Sequence, residues 1–128
     1  MGVAVRGALA VLTIVTAVAC SGPLTLTNIQ VGRSLNQDGS IASITTLFKP
    51  SETIYVAVQT GGGKGVVGVR WKFGDKVVAE PTKPVDSVGP KSTAFPFQNS
   101  GGFPPGDYSV DVLIHGVQVG TRAFKVSD

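Results

Sequence analysis

The stretch DYSVDVLIHGVQVGTRAFKV, residues 107–126, reads as two alternating runs on either side of a two-residue link. Tyr108, Val110, Val112 and Ile114 alternate with Ser109, Asp111 and Leu113, and Val117 and Val119 alternate away from His115-Gly116. Alternation with period two sends successive side chains to opposite faces of a strand. A short link between two such runs predicts a β-hairpin with a type I′ turn, which needs positive φ at both central positions. Glycine takes that conformation freely, and histidine is among the more tolerant of the other residues. Pairing Ile114 with Val117 sets Val112 opposite Val119 and Val110 opposite Thr121. Phe124 and Val126 fall in the opposite phase, so a β-bulge is expected near residues 121–123.

The same pattern runs back along the chain, and no window after Cys20 has helical periodicity. Leu24 and Leu26, then Ile29 and Val31, predict a first strand whose single phase slip marks a bulge. Asn36-Gln37-Asp38-Gly39 is a turn by composition. Ile54, Val56 and Val58 predict a second strand, and Gly61 to Gly65 a flexible connection. Val67, Val69, Trp71 and Phe73 form the longest apolar row, with Arg70 and Lys72 pointing the other way. Gly74-Asp75 turns the chain into Val77-Val78-Ala79. Residues 81–91 hold three prolines and a glycine and read as loop. Thr93, Phe95 and Phe97 predict a short strand that Pro96 confines to a sheet edge, because proline supplies no ladder donor. Residues 101–106 form a further loop.

About seven short strands with turns between them predict an all-β antiparallel sandwich. A tryptophan on the third main strand and a Pro-Gly-x-Tyr corner opening the sixth are also features of immunoglobulin-like domains. With no D strand in 81–91, the arrangement resembles fibronectin type III, which implies strands A, B and E in one sheet and C′, C, F and G in the other. Asp38-Gly39, Phe48 to Tyr55, Arg70-Trp71, Pro105 to Val112 with Gly116, and Phe124 to Val126 together resemble a group of bacterial envelope proteins. The shared motifs are structural and imply no activity.

The N-terminus predicts where the protein resides. Arg6 is the only charge before an uncharged run from Gly7 to Ala19, the length of a signal-peptide apolar core and short of the roughly 20 residues of a membrane span. Ala17-Val18-Ala19 offers a small-x-small cleavage site. Cleavage there as an ordinary secretory signal would leave a secreted protein with one unpaired thiol, which is awkward in an oxidising compartment. Thr16 to Cys20 instead resembles a bacterial lipobox, which implies a diacylglycerol thioether on Cys20 and an acyl group such as palmitate on its amine. Several acyl chains anchor a protein stably where one does not. The expected organisation is a lipoprotein signal peptide at 1–19, a lipid-anchored tether and start of the first strand at 20–27, and the sandwich at 28–128. Ser21 resembles the outer-membrane sorting signal of some Gram-negative bacteria, which implies an envelope protein facing the periplasm.

Candidate chemistry is sparse. Eleven basic residues less Arg6 leave ten against eight acidic ones, a balance too even and scattered for a nucleic-acid binder. Ser34 to Gly39 has the start of a calcium loop, but the position for a bidentate Glu is Thr45, so the turn reading prevails. Gly61 to Gly65 lacks the spacing and helix of a phosphate loop. His115, the only histidine, sits in a tight turn without a nucleophile or metal-ligand partner. The expectation is a monomeric, non-enzymatic interaction or structural module with no catalytic residues, metal or cofactor. Its partners would be a membrane, through lipid on Cys20, and an unidentified envelope protein.

The outward residues of the strands around Trp71 give a candidate partner face: Arg70, Lys72, Asp111, Leu113, Gln118 and Arg122. The alternative is a protease inhibitor acting through loops at one end of the sandwich, since rigid scaffolds commonly present function on loops. Mass spectrometry of the mature N-terminal peptide should find diacylglyceryl-Cys20, and Cys20→Ser should release the protein from membranes. A mature chain with a free thiol would refute the anchor.

Overall fold

A computed structural model describes residues 22–128 and builds them into two sheets packed face to face. The nine strands are β1 (Leu26–Gly32), β2 (Leu47–Phe48), β3 (Ile54–Thr60), β4 (Gly63–Phe73), β5 (Lys76–Ala79), β6 (Thr82–Ser87), β7 (Lys91–Phe97), β8 (Gly106–Ile114) and β9 (Val117–Val126). One sheet has the order β1-β3-β7, the other β2-β9-β8-β4-β5, with β6 also on β4. These are the expected A-B-E and G-F-C-C′ groupings, and Pro96 lies on the edge strand β7, where a missing donor costs least. The proposed signal segment, Cys20 and Ser21 lie outside the described residues.

The core lies between the sheets. Val67, Val69 and Trp71 of β4 are fully buried, as are Val110 and Val112 of β8 and Ile54, Val56 and Val58 of β3. The Trp71 ring stacks on Phe97 of the opposite sheet, centroids 4.5 Å apart, and meets Phe124 edge-on at 6.0 Å. Tyr108 stacks on Phe124 from the other side, and its hydroxyl donates to the Pro104 carbonyl at 2.7 Å. That bond fixes the corner where the chain enters β8, in the manner of the tyrosine corner of immunoglobulin domains.

The hairpin turn is as expected, with His115 at φ 52° and Gly116 at φ 79°. The register beyond it is not. Ile114 pairs with Val117, but Val112 pairs with Gly120 and Val110 with Arg122, because the bulge sits between Gln118 and Gly120 and not at 121–123. Gly120 faces the other sheet so closely that a Cβ would lie 2.7 Å from Ile29 Cδ1. The early bulge turns that glycine inward and leaves Val119 outside.

Two further expectations are corrected. Residues 82–87, read as loop, form β6, antiparallel to β4 from Gly63↔Ser87 to Gly68↔Thr82. An edge strand tolerates Pro84, and Val69 N donating to the Pro81 carbonyl at 3.0 Å carries the ladder of β4 past the break between β5 and β6. Lys83 crosses from β6 to β7, where Nζ donates to the Ala94 carbonyl and lies over the Phe95 ring. The glycine run is also less loop than expected, since Gly63 to Gly65 already belong to β4.

Residues 33–46 leave the sandwich as a small arch, bridged at Leu35↔Ile41 and Gly32↔Ile44, with the expected turn at Asn36 to Gly39. Ile41 is buried, as is Ala57 on the outer side of β3, so the arch covers part of that face. The chain then re-enters as β2, parallel to the end of β9.

Replacing Trp71 by Ala removes the largest core side chain, and a cost of about 3–5 kcal/mol is expected. The native Trp71 emission should be strongly blue-shifted before unfolding, and chemical denaturation followed by circular dichroism should show that Trp71→Ala loses most of the domain's stability.

Candidate functional site

Strand β4 shows its other side to solvent, and β8 pairs alongside it with Arg70 opposite Asp111, Lys72 opposite Ser109 and Gly68 opposite Leu113. Alternation therefore brings Arg70, Lys72, Asp111 and Leu113 onto one face, as expected. Asp111, however, is not exposed there. It keeps only 2% of its surface, because long side chains from β4 close over it.

The closure is ionic. Lys72 Nζ lies 3.0 Å and Arg70 Nη1 3.5 Å from Asp111 Oδ2, while Thr121 Oγ1 donates to Oδ1 at 2.9 Å. Arg70 is held from its other side by Glu80 of the β5–β6 link, Nε to Oε1 at 2.9 Å. Burial pushes the Asp111 carboxyl up, but hydrogen bonds from Lys72 and Thr121 and the charges of Lys72 and Arg70 outweigh it and hold the group below the ordinary aspartate value. The Glu80 hydrogen bond, against a smaller opposing effect of desolvation, raises Arg70 further above its already high value. Both cations keep about 30% of their side-chain surface, 30% for Arg70 and 28% for Lys72, so their remaining donors reach solvent.

Beside this network Val66, Gly68, Arg70, Glu80, Thr82 and Leu113 border an open groove of about 270 Å³. Gly68 makes its floor, and Leu113 is half-buried along its wall. Glu80 and Thr82 belong to this arrangement and were missed from the sequence, where they fell at the margin of an assumed loop.

Arg122 does not join the face. Its register partner is the core-facing Val110, and Thr121 is the residue of β9 that points at Asp111. Gln118, opposite Leu113, stays exposed at the margin. His115 lies at the hairpin tip with its ring beside Gly65. Asp38 Oδ1 accepts hydrogen bonds from Ser40 Oγ at 2.6 Å and Ser40 N at 2.9 Å, which lower its pKa and make the Asn36–Gly39 segment a self-satisfied turn. Among the described residues no group of three His, Cys, Asp or Glu is placed to hold a metal ion, and no helix is long and apolar enough to cross a membrane.

No protein-family model and no curated protein matches the chain in sequence. Solved structures match it in shape. An immunoglobulin-like protein from Pseudomonas aeruginosa superposes with a TM-score of 0.55 at 11% identity, over 84% of this chain and 98% of that one. The fold is immunoglobulin-like. The same immunoglobulin-like shape matches part of the alkylpurine DNA glycosylase AlkC of Pseudomonas fluorescens, bound to DNA with an abasic-site analogue, at TM-score 0.56 and 13% identity. It also matches part of a Listeria innocua β-glucosidase in complex with glucose, at TM-score 0.53 and 14% identity. The match covers 84% of this chain and 31% of the glycosylase, and 82% of this chain and 16% of the glucosidase. At these identities the likeness carries the fold and none of the chemistry.

Removing the charge at Asp111 leaves two cations to be resolvated, and both are open enough to manage it. Asp111→Asn should therefore cost about 1–3 kcal/mol at neutral pH. Because the folded pKa is lowered, the stabilisation is present above the unfolded value of about 3.9 and is lost as pH falls through the folded pKa. Urea melts of both proteins should differ by a constant amount above about pH 5 and converge below about pH 4.

Proposed function

We propose that the protein is a lipid-anchored module of the bacterial cell envelope that works by contact, without turnover, and that it engages a partner through the outer face of β4 and β8. The observation that supports this reading is Asp111, an ionised carboxylate buried on the solvent side of a sheet. It holds Arg70 and Lys72 side by side, next to the groove over Gly68. Long cationic side chains lose rotamer freedom when they bind, at about 0.5–1.5 kcal/mol each. Here Asp111 and Glu80 have already ordered them. A partner segment that places an apolar side chain between Val66, Thr82 and Leu113, and an acidic or carbonyl group over Arg70 and Lys72, matches both halves of the surface.

The anchor is Cys20, and the resemblance at Ser21 favours an outer-membrane protein facing the periplasm. The experiment is site-specific photo-crosslinking of the acylated full chain in its native envelope. A probe at Leu113 should give one discrete adduct that Thr82→Arg, which fills the groove without touching the core, abolishes. Adducts formed only by a probe at Ser100, or stoichiometric inhibition of a papain-like protease, would replace this reading with one based on the end loops.

A further inference from the structure

The end of the sandwich where the described chain begins has features that the β4–β8 face does not explain. Pro23 bridges to Lys64, and Leu24 is buried beneath the same end. The β3–β4, β6–β7 and β8–β9 connections gather there. A Cβ on Gly63 would lie 2.7 Å from the Gly22 carbonyl oxygen, one on Gly62 2.6 Å from that of Val88, and one on Gly65 2.7 Å from His115 Nε2. Valines beside these connections are exposed: Val88 fully, while Val117, the first residue of β9, keeps 65% of its surface. Lys64 and Lys91 are exposed at the same end.

Cys20 stands three residues before Pro23. Consecutive Cα atoms are 3.8 Å apart, so Cys20 lies at most about 11 Å from Pro23 whatever path the chain takes. A strand of nine residues such as β8 runs about 30 Å. With the acyl chains of Cys20 in a bilayer, this tether is too short for the sandwich to turn over and rest on its far end, and too short for the near end to stand far from the surface.

We infer that the end bearing Val88 and Val117 rests on the membrane, with these two side chains in the headgroup layer and Lys64 and Lys91 level with the lipid phosphates. The inference rests on lipid attachment at Cys20 and adds an orientation to it: the strands stand away from the bilayer, and the β4–β8 face is turned sideways, open along its length to a neighbour on the same membrane.

The test uses the acylated full chain in vesicles of phosphatidylethanolamine and phosphatidylglycerol. Single cysteines replace Val88, Val117 or Ser100 and carry an environment-sensitive fluorophore. Emission at 88 and 117 should be blue-shifted, and spin-labelled lipids should quench it several-fold more than at 100, which lies at the opposite end. Vesicle-bound protein with water-like, unquenched emission at 88 and 117 would overturn the orientation while leaving the anchor in place. If the chain without an added cysteine takes up the fluorophore at Cys20 and stays off the vesicles, the anchor itself fails, and the orientation with it.

Discussion

Strand β4 has to satisfy two environments at once, and the rest of the molecule is arranged around how it does so. It is hydrogen-bonded to β8 on one side and to β5 and β6 on the other, so neither edge meets solvent along its paired length. Inward it delivers Val67, Val69 and Trp71 to the seam between the sheets, and Trp71 stacks on Phe97 to tie them together. Aromatic packing of this kind adds about 0.5–1.5 kcal/mol beyond the area it buries. It also accommodates an indole Nε1–H that finds no acceptor among the described residues. Outward the same strand supplies Arg70 and Lys72. The backbone positions that fix the core therefore fix the spacing of the charges.

Asp111 is the answering element from β8. An isolated buried carboxylate would cost several kcal/mol and would take up a proton instead. Two cations and a hydroxyl reverse that balance, and the carboxyl stays ionised below its usual range. The pairs are partly open to water, so their net contribution to stability is small compared with the core. Their effect is geometric: they hold side chains that would otherwise sample many rotamers. A face built this way is polar yet ordered, which distinguishes it from an ordinary solvated sheet surface.

The fold was legible because its signals are local. Alternation, the His115-Gly116 turn and the Asn36–Gly39 turn each depend on residues adjacent in sequence, and Pro96 needs only the rule that proline avoids central strands. What sequence reasoning missed depends on neighbours distant in the chain. The bulge of β9 is placed by Ile29 on the opposite sheet, which leaves no room for a side chain at Gly120. β6 was hidden because Pro84 is acceptable only at an edge, and nothing local shows that 82–87 lies at one. The candidate face was half legible. Period two assigned Arg70, Lys72, Asp111 and Leu113 to one side, but it cannot tell how deep a side chain lies, so Asp111 was expected in solvent. Arg122 was misplaced by the same bulge. Glu80 and Thr82 carried no signal beyond their proximity to Pro81.

The proposed lipid anchor at Cys20 and the ordered charged face along one sheet would together suit a protein that recruits or supports a neighbour on the same membrane. The account depends above all on Asp111 being ionised while buried, since that state keeps Arg70 and Lys72 in place. The direct measurement is a carbon-13 NMR titration of the Asp111 carboxyl in the intact chain. The midpoint should fall below the ordinary aspartate value of about 3.9, with the Lys72 and Arg70 side-chain resonances moving at the same pH. A midpoint at or above that value, with those resonances unmoved, would mean that desolvation prevails and that the face is not an ordered platform.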